Sequence, residues 1–118
     1  MQFELTEQKE FPLPLVWTTF LKQINRELIA FDELEIDEDR SFHEQSLVEI
    51  YVRLQAFFEQ FLLEDEKGLM NFLYRVDIKE ATVVMAAQNS SKAYSQILTD
   101  CFLNRCYQKA VTKMRYSS

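Results

Sequence analysis

The sequence predicts an all-α fold, an irregular bundle of three long helices (about 14–31, 41–65 and 92–116) and two short ones (about 66–76 and 78–88). Three observations predict it. Apolar residues recur with a helical period from Leu15 to the C-terminus. One glycine and two prolines leave too little turn chemistry for a many-stranded sandwich or barrel. Residues 41–65 then place Leu47, Ile50, Tyr51, Leu54, Phe57, Phe58, Phe61 and Leu62 within an arc of about 140° on a helical wheel. With 118 residues, 47% of them apolar and 27% charged, the chain is expected to fold as one helical domain over 1–118.

In chain order, residues 1–10 alternate only weakly at Phe3 and Leu5 and are read as a loose N-terminal arm. Pro12 and Pro14 hold the next stretch extended, and Pro14 suits the first turn of a helix, where its missing N–H costs nothing. In the first helix Trp17, Phe20, Leu21, Ile24, Leu28 and Phe31 share an arc of about 100° and form its core stripe. A connector, DELEIDEDR, follows and carries Asp32, Glu33, Glu35, Asp37, Glu38 and Asp39.

The long helix over 41–65 is expected to start at a Ser41 N-cap with Glu44 completing a capping box. Val48, Val52 and Leu63 fall outside its main arc, on a flank that surface helices usually give to charge. Such a helix is expected to touch several neighbours, and the rest of the chain to be organised around it. His43 is read as half-buried at the helix start.

A short amphipathic helix carries Leu69, Phe72, Leu73 and Val76 at spacing i, i+3, i+4, i+7. Asp77 and Glu80 have capping-box spacing for the next, through Val83, Val84 and Ala87. The stretch NFLYRVDI, residues 71–78, resembles a segment of small bacterial helical proteins of unassigned function; the resemblance covers about a tenth of the chain and implies no activity.

After a linker at Asn89, Ser90 and Ser91, the last helix poses a problem. Ala93, Tyr94, Ile97, Leu98, Cys101 and Phe102 occupy one side, whereas Leu103, Cys106, Tyr107, Ala110, Val111 and Met114 lie nearly opposite. The apolar face turns by about 160° near Phe102, more than one flat core can cover. The helix is therefore expected to break near Asn104, or its second stripe to pack on the N-terminal arm or on another chain.

The chemistry-bearing residues are few. The sole histidine rules out a two-histidine metal site within the chain, and position 40, where a Glu-x-x-His pair would need glutamate, is Arg40. The acidic connector fails as an EF-hand: from Asp32, the sixth position is Asp37 rather than glycine and the twelfth is His43 rather than glutamate. Cys101 and Cys106 lie too far apart on a helix to bridge and lack zinc-ligand spacing, so they read as buried thiols. No nucleophile–base pair is evident, and no catalytic residue, cofactor or metal ligand is assigned. The longest unbroken apolar run is Val83 to Ala87, far short of the ~20 residues of a membrane span, and no signal peptide is recognisable; a cytoplasmic location is expected.

Charge is distributed unevenly. Residues 1–66 carry 16 acidic and 5 basic side chains, whereas 67–118 carry 3 and 8. The expected function is a protein–protein interaction or scaffold module, self-associating as a homodimer through the C-terminal helix. Leu103, Tyr107, Val111 and Met114 would form its contact stripe, with Arg105, Lys109 and Lys113 as the adjoining basic residues. The alternatives are an acidic inhibitor-like protein that meets a basic partner through Asp32–Asp39, or weak nucleic-acid binding by the basic helix. The overall acidity, net −6, counts against the second.

Overall fold

Pro12, in extended backbone, caps the first helix and Pro14 sits in its first turn, so the two prolines set where helical hydrogen bonding begins. The computed structural model describes residues 3, 5 and 10–117, with Asp32 described through its backbone alone. Among these residues the elements are α1 (Leu13–Glu27), a 3-10 turn (Asp32–Leu34), α2 (Glu44–Glu64), α3 (Glu66–Val76), α4 (Glu80–Gln88) and α5 (Tyr94–Ser117). The all-α expectation is met. No helix of the described residues is long and apolar enough to cross a membrane.

The organising element is α5 rather than the expected α2: α5 packs against α1, α2 and α4, whereas α2 packs against α5 and α3. This answers the problem of the two stripes. α5 runs unbroken from Tyr94 to Ser117, and its neighbours bury Leu98, Phe102, Leu103, Cys106, Ala110 and Val111 in turn around its circumference. A helix apolar on most sides belongs in the middle, and here the second stripe is covered from within the chain. Val111 and Met114 meet Val16 of α1, with Leu5, Phe11 and Tyr107 packed around them.

The N-terminal arm is part of that cover. Phe3 is 1% exposed, stacks on Phe20 at 5.3 Å and meets the Tyr107 ring edge-on at 6.2 Å. Its backbone N–H donates to Asp100 Oδ1 (3.2 Å). The expectation of a loose arm is corrected at Phe3 and Leu5; residues 1, 2, 4 and 6–9 lie outside the described part. Two aromatic faces and a buried acceptor outweigh the weak local pattern, because burial of a phenylalanine is worth about 1.5–3 kcal/mol.

Three helix ends differ from the sequence expectation. α1 stops at Glu27 instead of running to residue 31: the Phe31 N–H bonds Leu28 O (2.8 Å), and the chain turns away from the helix axis. The turn sends the Phe31 ring into an aromatic cluster with Phe57 (5.0 Å), Phe61 (5.7 Å) and Phe72 (5.9 Å). α2 begins after His43, not Ser41, and no side chain caps it; His43 is exposed rather than half-buried. Phe42, just before the helix, packs edge-on to Trp17 at 5.0 Å.

Asp77, expected to open α4, instead closes α3. It adopts the left-handed conformation (φ 69°), and Ile78 N–H bonds back to Leu73 O (2.8 Å) while Asp77 N–H bonds Tyr74 O (3.0 Å). This is a Schellman closure in which Ile78 supplies the buried apolar residue after the turn. Aspartate tolerates this backbone better than most residues. α3 itself starts on the side-chain cap of Asp65, which accepts from Gly68 N–H (2.9 Å). A Cβ at position 68 would collide with that carboxylate, so the single glycine makes room for the cap.

Candidate protein interface along the outer face of α2

The acidic connector is held from beneath. Asn25 on α1 accepts from Ile36 N–H (2.8 Å) and donates to Ile36 O (2.8 Å) and to Glu38 Oε2 (2.9 Å). Ile36 is buried, which anchors the middle of a segment that is otherwise nearly all carboxylate. Trp17 Nε1–H donates to Arg40 O (2.6 Å) at one end, and Arg53 of α2 donates to Glu33 O (3.1 Å) at the other. Arg40 also pairs with Glu49 of α2. The backbone is thereby fixed, while Glu33, Glu35, Asp37 and Asp39 stand exposed and Glu38 is half-buried. The Asp32 side chain lies outside the described residues. Among the described residues, none of these five connector carboxylates has a salt-bridge partner.

The basic residues of the second half are spent differently. Lys109 reaches Glu27 on α1 (2.9 Å), and Arg105 reaches Asp77 (2.7 Å) and Gln108 (3.3 Å). Lys113 is exposed. The residues of the expected contact stripe lie largely inside the chain: Leu103, Val111 and Met114 are buried, and Tyr107 is half-buried against Phe3 and Phe20. Its apolar surface is used to join α5 to α1 and the arm. What remains outside is a shallow groove of about 340 Å3 between Phe11, Leu15 and Thr19 on one side and Lys113, Met114 and Ser117 on the other.

α2 leaves a row of apolar side chains in water; Leu15, Ile29, Val84 and Met85 are exposed elsewhere in the chain. Val48, Val52, Ala56 and Leu63 are all exposed, Val52 at 58% and Leu63 at 77%. Positions 48, 52 and 56 form an i, i+4, i+8 ridge, and 63 continues it. At 1.5 Å per residue the row is about 22 Å long. Its opposite face carries Leu47, Ile50, Leu54 and Phe58, all buried. Neighbouring positions on the wheel belong to Glu49 and Arg53, which tie the two ends of the acidic segment to one flank of α2, while Asn25 holds its middle on α1. The sequence pattern does single out Val48, Val52 and Leu63, but as residues awaiting neighbours within the chain; the structure gives them none that buries them.

No family model, curated protein or solved structure matches the chain.

The remaining polar cluster is structural. Asp100, buried on α5, accepts from Phe3 N–H and from Lys92 Nζ (3.4 Å). Tyr51 donates to Gln96 O (3.2 Å) nearby, and burial, with the Asp100 charge behind it, pushes its phenol well above the usual range. Phenol and carboxylate thus each have hydrogen-bond partners inside the bundle. Burial likewise raises the Cys101 thiol, and raises that of Cys106 further, so both are poor nucleophiles. Among the described residues no three His, Cys, Asp or Glu side chains converge to hold a metal ion.

Proposed function

We propose that this protein is a protein–protein interaction module that docks a partner along the outer face of α2. One observation carries the reading: a row of Val48, Val52, Ala56 and Leu63, interrupted by Glu59, faces water on a helix whose other side is core. Single exposed apolar residues are ordinary, but several aligned on one helix face and rimmed by charge mark an interaction surface. Self-association through α5, the form the sequence favours, is the second reading. It would have to use the shallow groove at Phe11, Leu15 and Met114, since Leu103 and Val111 are committed to the interior.

A photo-crosslinking amino acid placed at position 52 in the full chain, in its native cell, tests the first reading. Position 22, an exposed lysine on α1, serves as the control. A discrete adduct from position 52 that is absent from position 22, and lost when Leu63→Glu is added, supports docking on α2. Indistinguishable adducts from the two positions overturn it.

A further inference from the structure

We infer that the occupant of this face is a basic amphipathic helix of a partner protein. The inference rests on the docking reading above and adds the chemistry of the partner. Shape comes first. The row is straight, one residue wide and formed on a helix, with the small Ala56 between Val52 and Leu63. A ridge at i, i+4, i+8 fits the groove of another helix, and among the described residues no sheet edge accompanies it on which an extended peptide could pair.

Charge then decides which helix. Glu59 sits inside the row, between Ala56 and Leu63. Glu44 and Glu64 stand at its ends, Glu49, paired with Arg40, borders it, and the connector, tied to α2 at Glu33 and Arg40, adds the exposed Glu33, Glu35, Asp37 and Asp39 nearby. The sequence from Asp32 to Glu66 holds twelve carboxylates against two arginines. Both arginines are engaged, Arg40 with Glu49 and Arg53 with the Glu33 carbonyl. A helix resting on the row therefore needs cations along its flanks and one opposite Glu59.

The same charges disfavour a second copy of this chain. Two α2 faces related by a two-fold axis would bring a Glu59 from each copy into the apolar seam and set acidic flank against acidic flank. A carboxylate desolvated without a counter-ion is strongly destabilising. A basic helix turns the same groups into complementary contacts and speeds encounter.

The test uses the full-length protein and three labelled synthetic peptides of about 18 residues, long enough as helices to span the row. One is an amphipathic leucine/lysine helix, one a leucine/glutamate helix of the same pattern, and one a scrambled leucine/lysine peptide without helical spacing. Fluorescence anisotropy is followed across a salt series. The leucine/lysine helix is expected to bind at least about tenfold more tightly than the other two. Val52→Ser with Leu63→Ser is expected to weaken it by about tenfold, and Glu35→Gln with Asp37→Asn and Asp39→Asn to weaken it and flatten its salt dependence. Melting curves confirm that each variant stays folded.

Equal binding of the leucine/glutamate helix overturns the charge assignment and leaves docking on α2 standing. Equal binding of the scrambled peptide, unaffected by the Val52 and Leu63 changes, reduces the effect to bulk attraction and overturns both readings. If no helix binds while position 52 still crosslinks specifically, the partner is not a basic helix and only the present inference falls.

Discussion

Replacing Val111 separates a stripe that is core from one that is an interface between chains. Val111 is 7% exposed and packs with Val16, Met114, Phe11 and Tyr107. Val111→Ala removes two methyl groups, worth about 0.8 kcal/mol each in transfer, and leaves a small cavity, for a loss of about 2 kcal/mol. With about 0.25 kcal/mol/K of unfolding entropy for a chain of this size, Tm should fall by about 8 °C. Val111→Glu adds a carboxyl group with no counter-ion among those contacts. Keeping it neutral at pH 7 against a normal value near 4 costs about 4 kcal/mol before the lost packing is counted. The sum is a large part of the ~5–15 kcal/mol that holds a domain together, so the variant should be largely unfolded on mild heating. Val52→Glu, at a site 58% exposed, should stay within about 0.5 kcal/mol of the parent. Circular dichroism melts and sedimentation velocity report both quantities. A Val111→Glu protein that melts like the parent but falls from dimer to monomer would refute the packing argument, because the stripe would then be buried between chains rather than within one.

Two further outcomes follow from the polar contacts. Asn25→Ala should cost roughly 1–3 kcal/mol by leaving the Ile36 N–H without its acceptor, and hydrogen exchange at Ile36 should accelerate far more than at Leu54 in α2; unchanged exchange at Ile36 would mean that Asn25 does not hold the connector. At alkaline pH the Cys106 thiol and the Tyr51 phenol, both raised by burial, keep protons in the native state that the unfolded chain releases. The unfolded state then binds fewer protons, so stability should fall as pH rises past about 8.5 for the thiol and about 10 for the phenol. Urea titrations at pH 7, 9 and 10.5 check the sign, and a flat profile would contradict the burial of both groups.

Much of the fold is legible in the residues, and the parts that are not have local causes. The stripe of Trp17, Phe20, Leu21 and Ile24 and the stripe of Leu69, Phe72, Leu73 and Val76 follow from spacing alone, because each faces one core from one side. Helix ends are less legible. Ser41 and Asp77 have good capping spacing, yet Phe42 finds an aromatic partner in Trp17 and Asp77 a left-handed turn with an arginine beside it. Those contacts are tertiary, and no local pattern reveals them. The arm hides for the same reason: Phe3 has no periodic company, and its value lies in Phe20, Tyr107 and Asp100, distant in sequence. The acidic connector is visible as charge, but its rigidity is not, since it depends on the side chains of Asn25, Trp17 and Arg53.

The deeper ambiguity is that two helices, α2 and α5, both look apolar on more sides than a surface helix needs. A bundle of five helices in which two are short can surround only one of them. α5 takes the centre because both of its stripes find cover, one from α2 and α4 and the other from α1 with the arm. α2 then has to lie outside, and its surplus residues Val48, Val52, Ala56 and Leu63 are left facing water. If the surplus were a packing accident, charge would be expected to intrude freely along the row. Instead only Glu59 interrupts it, and the charge gathers on a connector fixed between α1 and the flank of α2. Fixing that connector brings like charges together on an immobile backbone, an arrangement that folding alone does not require and that a cationic partner would relieve.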